Sequence, residues 1–269
     1  MKALLSDTTA IYRQAAAFAV ACPLLFLIPV LVEMAQHVVE LRGGMYVDEA
    51  GAMAAEVDPL RLQFGFVKTL ALYLPGYWFV RFMLLGDPAR AARIEWPAFG
   101  LWLVVFAFGA VQMWWGLFGP SLTGLAGLGG QAATIASAVL TIGSMALGLY
   151  LAAWSAGWAV GNRTLTPLRS AAIMHKEIWH AAGLMLTGML PLMVVHYGLA
   201  IAAVVALPPS LDWAAMVLDS IVVGFLALTL TGASVQAAIH AARRVGAELV
   251  PQDDPSAPLS PALSVGQNT

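Results

Sequence analysis

Between Glu95 and Arg163 the chain runs 67 residues without one Asp, Glu, Lys, Arg or His. An ordinary soluble domain carries about 25% charged residues and cannot leave such a gap. The stretch is long enough to cross a bilayer twice, because about 20 apolar residues span the hydrocarbon core. Its middle holds Gly119, Pro120, Ser121, Thr123, Gly124, Gly127, Gly129 and Gly130. The pattern predicts a helix, a short uncharged turn and a second helix, both in lipid. Bulk composition agrees: 60% of residues are hydrophobic, 10% are charged, and mean hydropathy is +0.80.

Several function classes fall away at this level. A net charge of −2 gives no global basic field for nucleic acid, so none is expected as a partner. The single cysteine, Cys22, excludes an internal disulfide and any multi-cysteine metal or iron–sulfur centre. Ala19-Val20-Ala21-Cys22 resembles a lipoprotein cleavage box, but the apolar run continues to Val32, whereas a cleavage site ends such a run. An uncleaved first span with Cys22 buried in it as a small hydrophobe is expected. No Gly-x-Ser-x-Gly, P-loop or dinucleotide fingerprint occurs. No cofactor and no metal ligand set is assigned, and the chain leans away from being an enzyme.

Hydropathy and punctuation predict an all-α domain over 1–244 with six spans, at about 15–39, 64–85, 96–118, 131–160, 181–207 and 213–238. Pro75-Gly76 predicts a kink in the second span. Residues 40–63 form a charged outer segment, with Gly43-Gly44 breaking the helix before it. Residues 245–269, rich in Pro, Ser, Gln and Asp, read as a disordered cytoplasmic tail. Lys and Arg collect in short cytoplasmic loops. With the N-terminus inside, one side receives ten of them (Lys2, Arg13, Arg81, Arg90, Arg93, Arg163, Arg169, Lys176, Arg243 and Arg244) and the other receives Arg42, Arg61 and Lys68. Both termini are therefore expected inside. Trp96, Trp114, Trp115, Trp158, Trp179 and Trp213 fall near the predicted interfaces, which lends light support.

Before the fifth span, residues 166–180 read as a short amphipathic helix, with Thr166 as cap and Pro167 at the first helical position. It lies either in the interface, with Leu168, Ala171, Ala172 and Ile178-Trp179 toward lipid, or in water as an extension of the span. Gly157 and Gly161 at the end of the fourth span have the spacing that permits close helix approach, within the chain or in a homodimer.

The polar candidates lie inside the spans. Glu33, His37 and Glu40 are spaced i, i+4, i+7 and share one helix face. A carboxylate inside a span is costly and faces the bundle or a wet cavity. Threading brings Lys68, His196 and Asp219 to similar depth, so Glu33, His37, Lys68, His196 and Asp219 form a candidate intramembrane cluster. Its functional reading is a proton or cation relay or a polar substrate pocket. Its structural reading is a set of pairs, Glu33 with Lys68 and Asp219 with His196, that fix helix register, with His37 and Glu40 solvated among headgroups. A b-type haem between His37 and His196 is disfavoured, because counting from the inner span ends puts them roughly 10 Å apart in depth. His175-Lys-Glu177-Ile-Trp-His180 fails the His-Glu-x-x-His spacing of zinc proteases. Gly86-Asp87-Pro-Ala-Arg90 lacks the further aspartates of lipid-headgroup transferases.

Two stretches, Ala10-Ile-Tyr12-Arg13-Gln before the first span and Thr166-Pro-Leu168-Arg169-Ser170-Ala before a late one, resemble the YciC-like family of bacterial inner-membrane proteins. The resemblance covers about 40 residues, by the extent of those two motifs and their flanks. It implies a six-span helical protein of a bacterial inner membrane and no enzymatic residue; the acidic segment 40–63 departs from it. The leading functional expectation is a non-enzymatic structural, partner-binding or envelope-maintenance role. Arg90, Arg93, Arg163 and Arg169 would meet anionic lipid headgroups or a cytoplasmic partner, and a homo-oligomer or membrane-protein partner is possible. The alternatives are a small proton- or cation-coupled transporter using Glu33 and Asp219, and then a cofactor-binding membrane subunit. Pro75-Gly76 and Pro191 are breaks at corresponding positions of a three-plus-three repeat, the arrangement that secondary transporters use.

Overall fold

A computed structural model describes residues 2–251, and among them the chain is all-helical with no strand. The helices are α1 (Lys2–Ala21), α2 (Pro23–Arg42), α3 (Glu49–Glu56), α4 (Pro59–Tyr73), α5 (Gly76–Leu85), α6 (Pro88–Ala91), α7 (Trp96–Phe118), α8 (Leu122–Leu125), α9 (Gly130–Tyr150), α10 (Ala152–Ala159), α11 (Pro167–Met174), α12 (Ile178–Val205) and α13 (Asp212–Val245). Five stretches are long and apolar enough to cross a membrane: α2, α7, α9, the run from Pro167 to Val205, and α13.

Local chemistry sets most boundaries. Asp48, Asp58, Asp87, Ser121 and Thr166 each accept a backbone N–H at the start of a helix, and Pro59, Pro88 and Pro167 take the first helical position. Gly86 and Gly246 end α5 and α13 in the left-handed conformation that only glycine adopts without strain.

Several boundaries differ from the sequence reading. Residues before 15 are helical, not a polar lead-in, because Ile11, Ala15 and Phe18 give α1 an apolar face buried on the bundle. The first span is split at Cys22-Pro23, and Cys22 is half-buried rather than enclosed. The second is cut into α4 and α5 at Leu74-Pro75, so neither piece reaches spanning length alone. Proline causes both breaks: it lacks the N–H of the helical ladder and its ring crowds the preceding turn. The charged segment 40–63 contains α3 and the start of α4. The fourth span is offset at Leu151 into α9 and α10. Of the expected tail, residues 246–251 are docked: Asn162 donates to the carbonyls of Glu248 and Leu249, and Leu249 is buried. The rest of the tail lies outside the described residues.

Helix α13 is the axis of the bundle. It packs most extensively on α12, then on α2, α1, α10 and α5. Half of its apolar window is buried (50%), whereas 6% of α7's and 0% of α9's is. The uncharged stretch is thus the peripheral part of the bundle. In lipid its side chains lose nothing by facing outward, since the hydrocarbon is as apolar as they are. Helix α11 turns its Ser170, Ile173 and Met174 onto the bundle and leaves Leu168 exposed, as is Trp179 at the start of α12. Gly157 is pressed against Leu165 and Gly161 sits against Ala98, so this glycine pair is spent on packing within the chain.

Close approach of α2 to α13 depends on Gly224. A methyl added there would lie 2.6 Å from Val30 Cγ2 and 3.0 Å from Phe26 Cε2. Gly224→Ala is expected to destabilise the protein by about 1–3 kcal/mol through overpacking, despite its better helix propensity. Thermal unfolding in mild detergent measures it, and Gly100→Ala, with open space around it, serves as the neutral control.

Candidate functional site

The five cluster residues singled out from the sequence lie together. Helix α2 supplies Glu33 and His37, α4 supplies Lys68, α12 supplies His196 and α13 supplies Asp219. Glu33, His37, Glu40 and Asp219 are 1%, 5%, 4% and 3% exposed. His37 and Glu40 are therefore not solvated headgroup residues: α2 turns that face onto α13 and α4, its principal neighbours.

Asp219 is the centre. His196 Nδ1 lies 2.7 Å from its Oδ1 and 2.9 Å from its Oδ2, and His37 Nε2 lies 3.0 Å from Oδ2. Both imidazoles thus converge on one carboxylate, so the expected depth mismatch between them is wrong. The count assumed spans that begin at 15 and 181, whereas α1 starts at Lys2, bends at Cys22 and hands over to α2, and α12 starts before residue 181. Glu33 approaches the same ring nitrogen, 3.6 Å from His37 Nε2, while Lys68 Nζ stands 2.8–2.9 Å from both Glu33 oxygens.

A second arm runs toward the charged segment. His37 Nδ1 is 3.1 Å from Glu40 Oε2 and 2.9 Å from the Tyr46 hydroxyl. Tyr46 donates to Glu40 Oε2 at 2.8 Å, and Arg61 Nε and Gln36 Nε2 donate to Oε1, each at 2.8 Å. Burial, reinforced by the Glu40 carboxylate, pushes the Tyr46 phenol above its ordinary value, so it stays a donor. Gln36, Tyr46 and Arg61 were missed in the sequence. Gln36 does lie on the Glu33–Glu40 face, but Tyr46 and Arg61 arrive through a turn and through α4, which no periodicity announces.

The charges do not cancel without the histidines. Three carboxylates (Glu33, Glu40, Asp219) face two permanent cations (Lys68, Arg61), leaving one negative charge that a single imidazolium neutralises. His37 has a carboxylate against each ring nitrogen, and it satisfies both as donor only when both carry hydrogen. When neutral, it keeps the bond to Asp219 and accepts at Nδ1 from Tyr46, whose hydroxyl can turn from Glu40. The hydrogen-bond network thus has one arrangement for the protonated ring and another for the neutral ring. Glu33, His37 and Asp219 also offer three ligand atoms within 4.8 Å of one another, so a cation entering here would compete with Lys68 and with the proton.

The cytoplasmic-type arginines do not form one patch. Arg93 and Arg163 are exposed, Arg169 is held to Thr164, and Arg90 lies 3.9 Å from Glu95. Arg81 is the buried member: 0% exposed, it forks onto Glu95 at 2.6 and 3.3 Å, donates to the Ala159 carbonyl and lies over the Tyr77 ring. No family model, no curated protein and no solved structure matches this chain.

Proposed function

We propose that this protein carries protons, or a small cation exchanged for protons, across a membrane, with Glu33, His37 and Asp219 as the charge-handling groups. The observation behind the reading is the buried cluster that is one positive charge short and whose central imidazole has two hydrogen-bonded arrangements. Ionisable groups inside membrane helices are costly, and proton and ion pathways are where such groups persist. Lys68 acts as an internal counter-ion to Glu33 while no cation is bound.

The frame proposed for this activity has six spans, with α4 and α5 together forming the second, and both termini on the inner side of a bacterial-type inner membrane. The distribution of Lys and Arg supports it. So do the bond of His180 to Asp7 and the bonds of Asn162 to Glu248 and Leu249, which join the two ends of the chain to loops assigned to the same side. The sequence resemblance to the YciC-like family supports the membrane assignment and adds no activity. A structural or partner-binding role, the sequence's first expectation, keeps one specific argument: Glu33–Lys68 and Asp219–His196 are complementary pairs that fix helix register without any flux. The exposed faces of α7 and α9 would meet lipid, a second copy or another membrane protein.

Reconstitution separates the two. Wild-type protein in liposomes loaded with a pH-sensitive dye is expected to dissipate an imposed pH gradient, and Glu33→Gln to fall to the protein-free background while keeping its helical spectrum. Absence of flux in the wild type across a panel of imposed proton and alkali-cation gradients would sink the carrier reading and leave the register-fixing one.

A further inference from the structure

A second cluster occupies the other end of the same long helix, outside the site described above. Asp7 of α1, His180 of α12 and His240 of α13 each present a ligand atom within 4.8 Å of the others. His180 Nε2 lies 3.0 Å from Asp7 Oδ2 and His240 Nδ1 lies 3.4 Å from the same oxygen. The two imidazoles stack with centroids 4.1 Å apart. Ligands held about 2.0–2.1 Å from a tetrahedral ion are separated by about 3.4 Å along the edges of the tetrahedron, close to these distances. Asp7 and His180 alone would make an ordinary ion pair. The third group is what needs explaining, because two histidines directed at one carboxylate oxygen cannot both be satisfied as simply as one.

The surroundings are built in the way that orients metal ligands. Gln236 Nε2 donates to Asp7 Oδ1 at 2.9 Å, which leaves Oδ2 for the two rings. Glu177 Oε2 stands 3.5 Å from His240 Nε2, the nitrogen facing away from Asp7, and Glu177 is itself held by Arg244 at 3.0 Å. A carboxylate on the far nitrogen of a ligating histidine fixes its tautomer and raises its basicity. Among the described residues Asp7 meets no lysine or arginine, unlike Glu33, so no resident cation has to leave. The three groups are partly exposed, which gives an ion a way in and leaves a position open for water.

We propose that Asp7, His180 and His240 bind one divalent transition-metal ion of zinc's class, at the end of the bundle that carries most of the Lys and Arg. Two imidazoles and one carboxylate are a borderline-to-hard donor set that suits Zn2+, Co2+ or Fe2+ and not Ca2+. Glu177 and Gln236 are positioning residues. The ion would clip α1 to the α12–α13 pair. The proposal stands apart from the transport reading, since none of its residues belongs to the Glu33–His37–Asp219 site.

The test uses tag-free, full-length protein in mild detergent, stripped with chelator and titrated with Co2+ and then Zn2+. One equivalent of Co2+ is expected to bind with visible d–d absorption, and Zn2+ to displace it and raise the melting temperature. His180→Gln, His240→Gln and Asp7→Asn are each expected to lose the absorption and the thermal shift. Glu177→Gln is expected to weaken Co2+ affinity by roughly 10–100-fold with the spectrum retained, the size seen when outer-shell partners are removed. Should a ligand variant fail to fold, the Glu177→Gln affinity decides alone. Two outcomes overturn the proposal: no stoichiometric Co2+ or Zn2+ binding by the wild type, or binding unchanged in Asp7→Asn and His240→Gln but lost in His37→Gln, which would move the ion to the opposite cluster.

Discussion

Asp219→Ala is expected to lower stability by about 3–5 kcal/mol, the cost of leaving two imidazoles without the acceptor they share, on top of the lost counter-charge. The size follows from the arrangement around it. Among the described residues Asp219 is the only group that both His37 and His196 meet, and it is 3% exposed, so water does not replace it. Asp219→Asn should cost less, about 1–2 kcal/mol, because the amide oxygen still accepts from one ring while its N–H can donate to the other as a neutral tautomer. Thermal or denaturant unfolding in detergent gives both values, and a dye-loaded proteoliposome gives the second readout. If the cluster carries protons, Asn removes flux despite its mild effect on folding. If it only fixes register, the two variants differ in melting temperature and in nothing else. Equal, small losses for Ala and Asn would show that the convergence of the histidines is energetically idle.

The second large effect is expected at the buried arginine. Glu95→Ala leaves the Arg81 guanidinium, 0% exposed, with the Ala159 and Arg90 carbonyls but without an anion. A loss of about 3–5 kcal/mol is expected, again from an uncompensated buried charge. Removing both charges together, as Arg81→Leu with Glu95→Ala, should recover much of that loss, because an apolar side chain fills the space beside Tyr77 without a desolvation cost. A double-mutant cycle on melting free energies measures the coupling. Additive losses would mean that the fork contributes nothing beyond packing.

How much of this was legible in the sequence depends on the range of the interaction. The uncharged stretch predicts α7 and α9, and α7 begins and ends at the predicted residues, because a hydrocarbon environment imposes one simple rule on a helix. Caps and prolines at Thr166-Pro167 are equally local. The breaks at Cys22-Pro23 and Leu74-Pro75 were harder: hydropathy runs straight through both, and only tertiary packing decides whether a proline bends a helix or divides it. Within the site, i, i+4 spacing picked out Glu33 and His37, and depth counting brought in Lys68, His196 and Asp219. Depth counting failed on the relative height of the two histidines, since it presumes helices of fixed start and no tilt. The cluster of Asp7, His180 and His240 was invisible, because its members lie 173 and 60 residues apart in sequence (180 − 7 and 240 − 180) and none sits inside an apolar run that would have made it conspicuous.

The two proline breaks bound a segment, residues 23–73, that holds Glu33, His37, Glu40, Tyr46, Arg61 and Lys68. Asp219 and His196 stand outside it, on α13 and α12. Every lysine– or arginine–carboxylate pair of the site is internal to the segment, and among the described residues the ion pair that crosses its boundary there is His37–Asp219. At the site the segment is one electrostatic unit: its lysine– and arginine–carboxylate pairs are matched inside it, and its ion pair to α13 runs through one imidazole. Losing a proton from His37 leaves that contact a neutral hydrogen bond to Asp219, whereas a lysine or arginine in its place would stay charged.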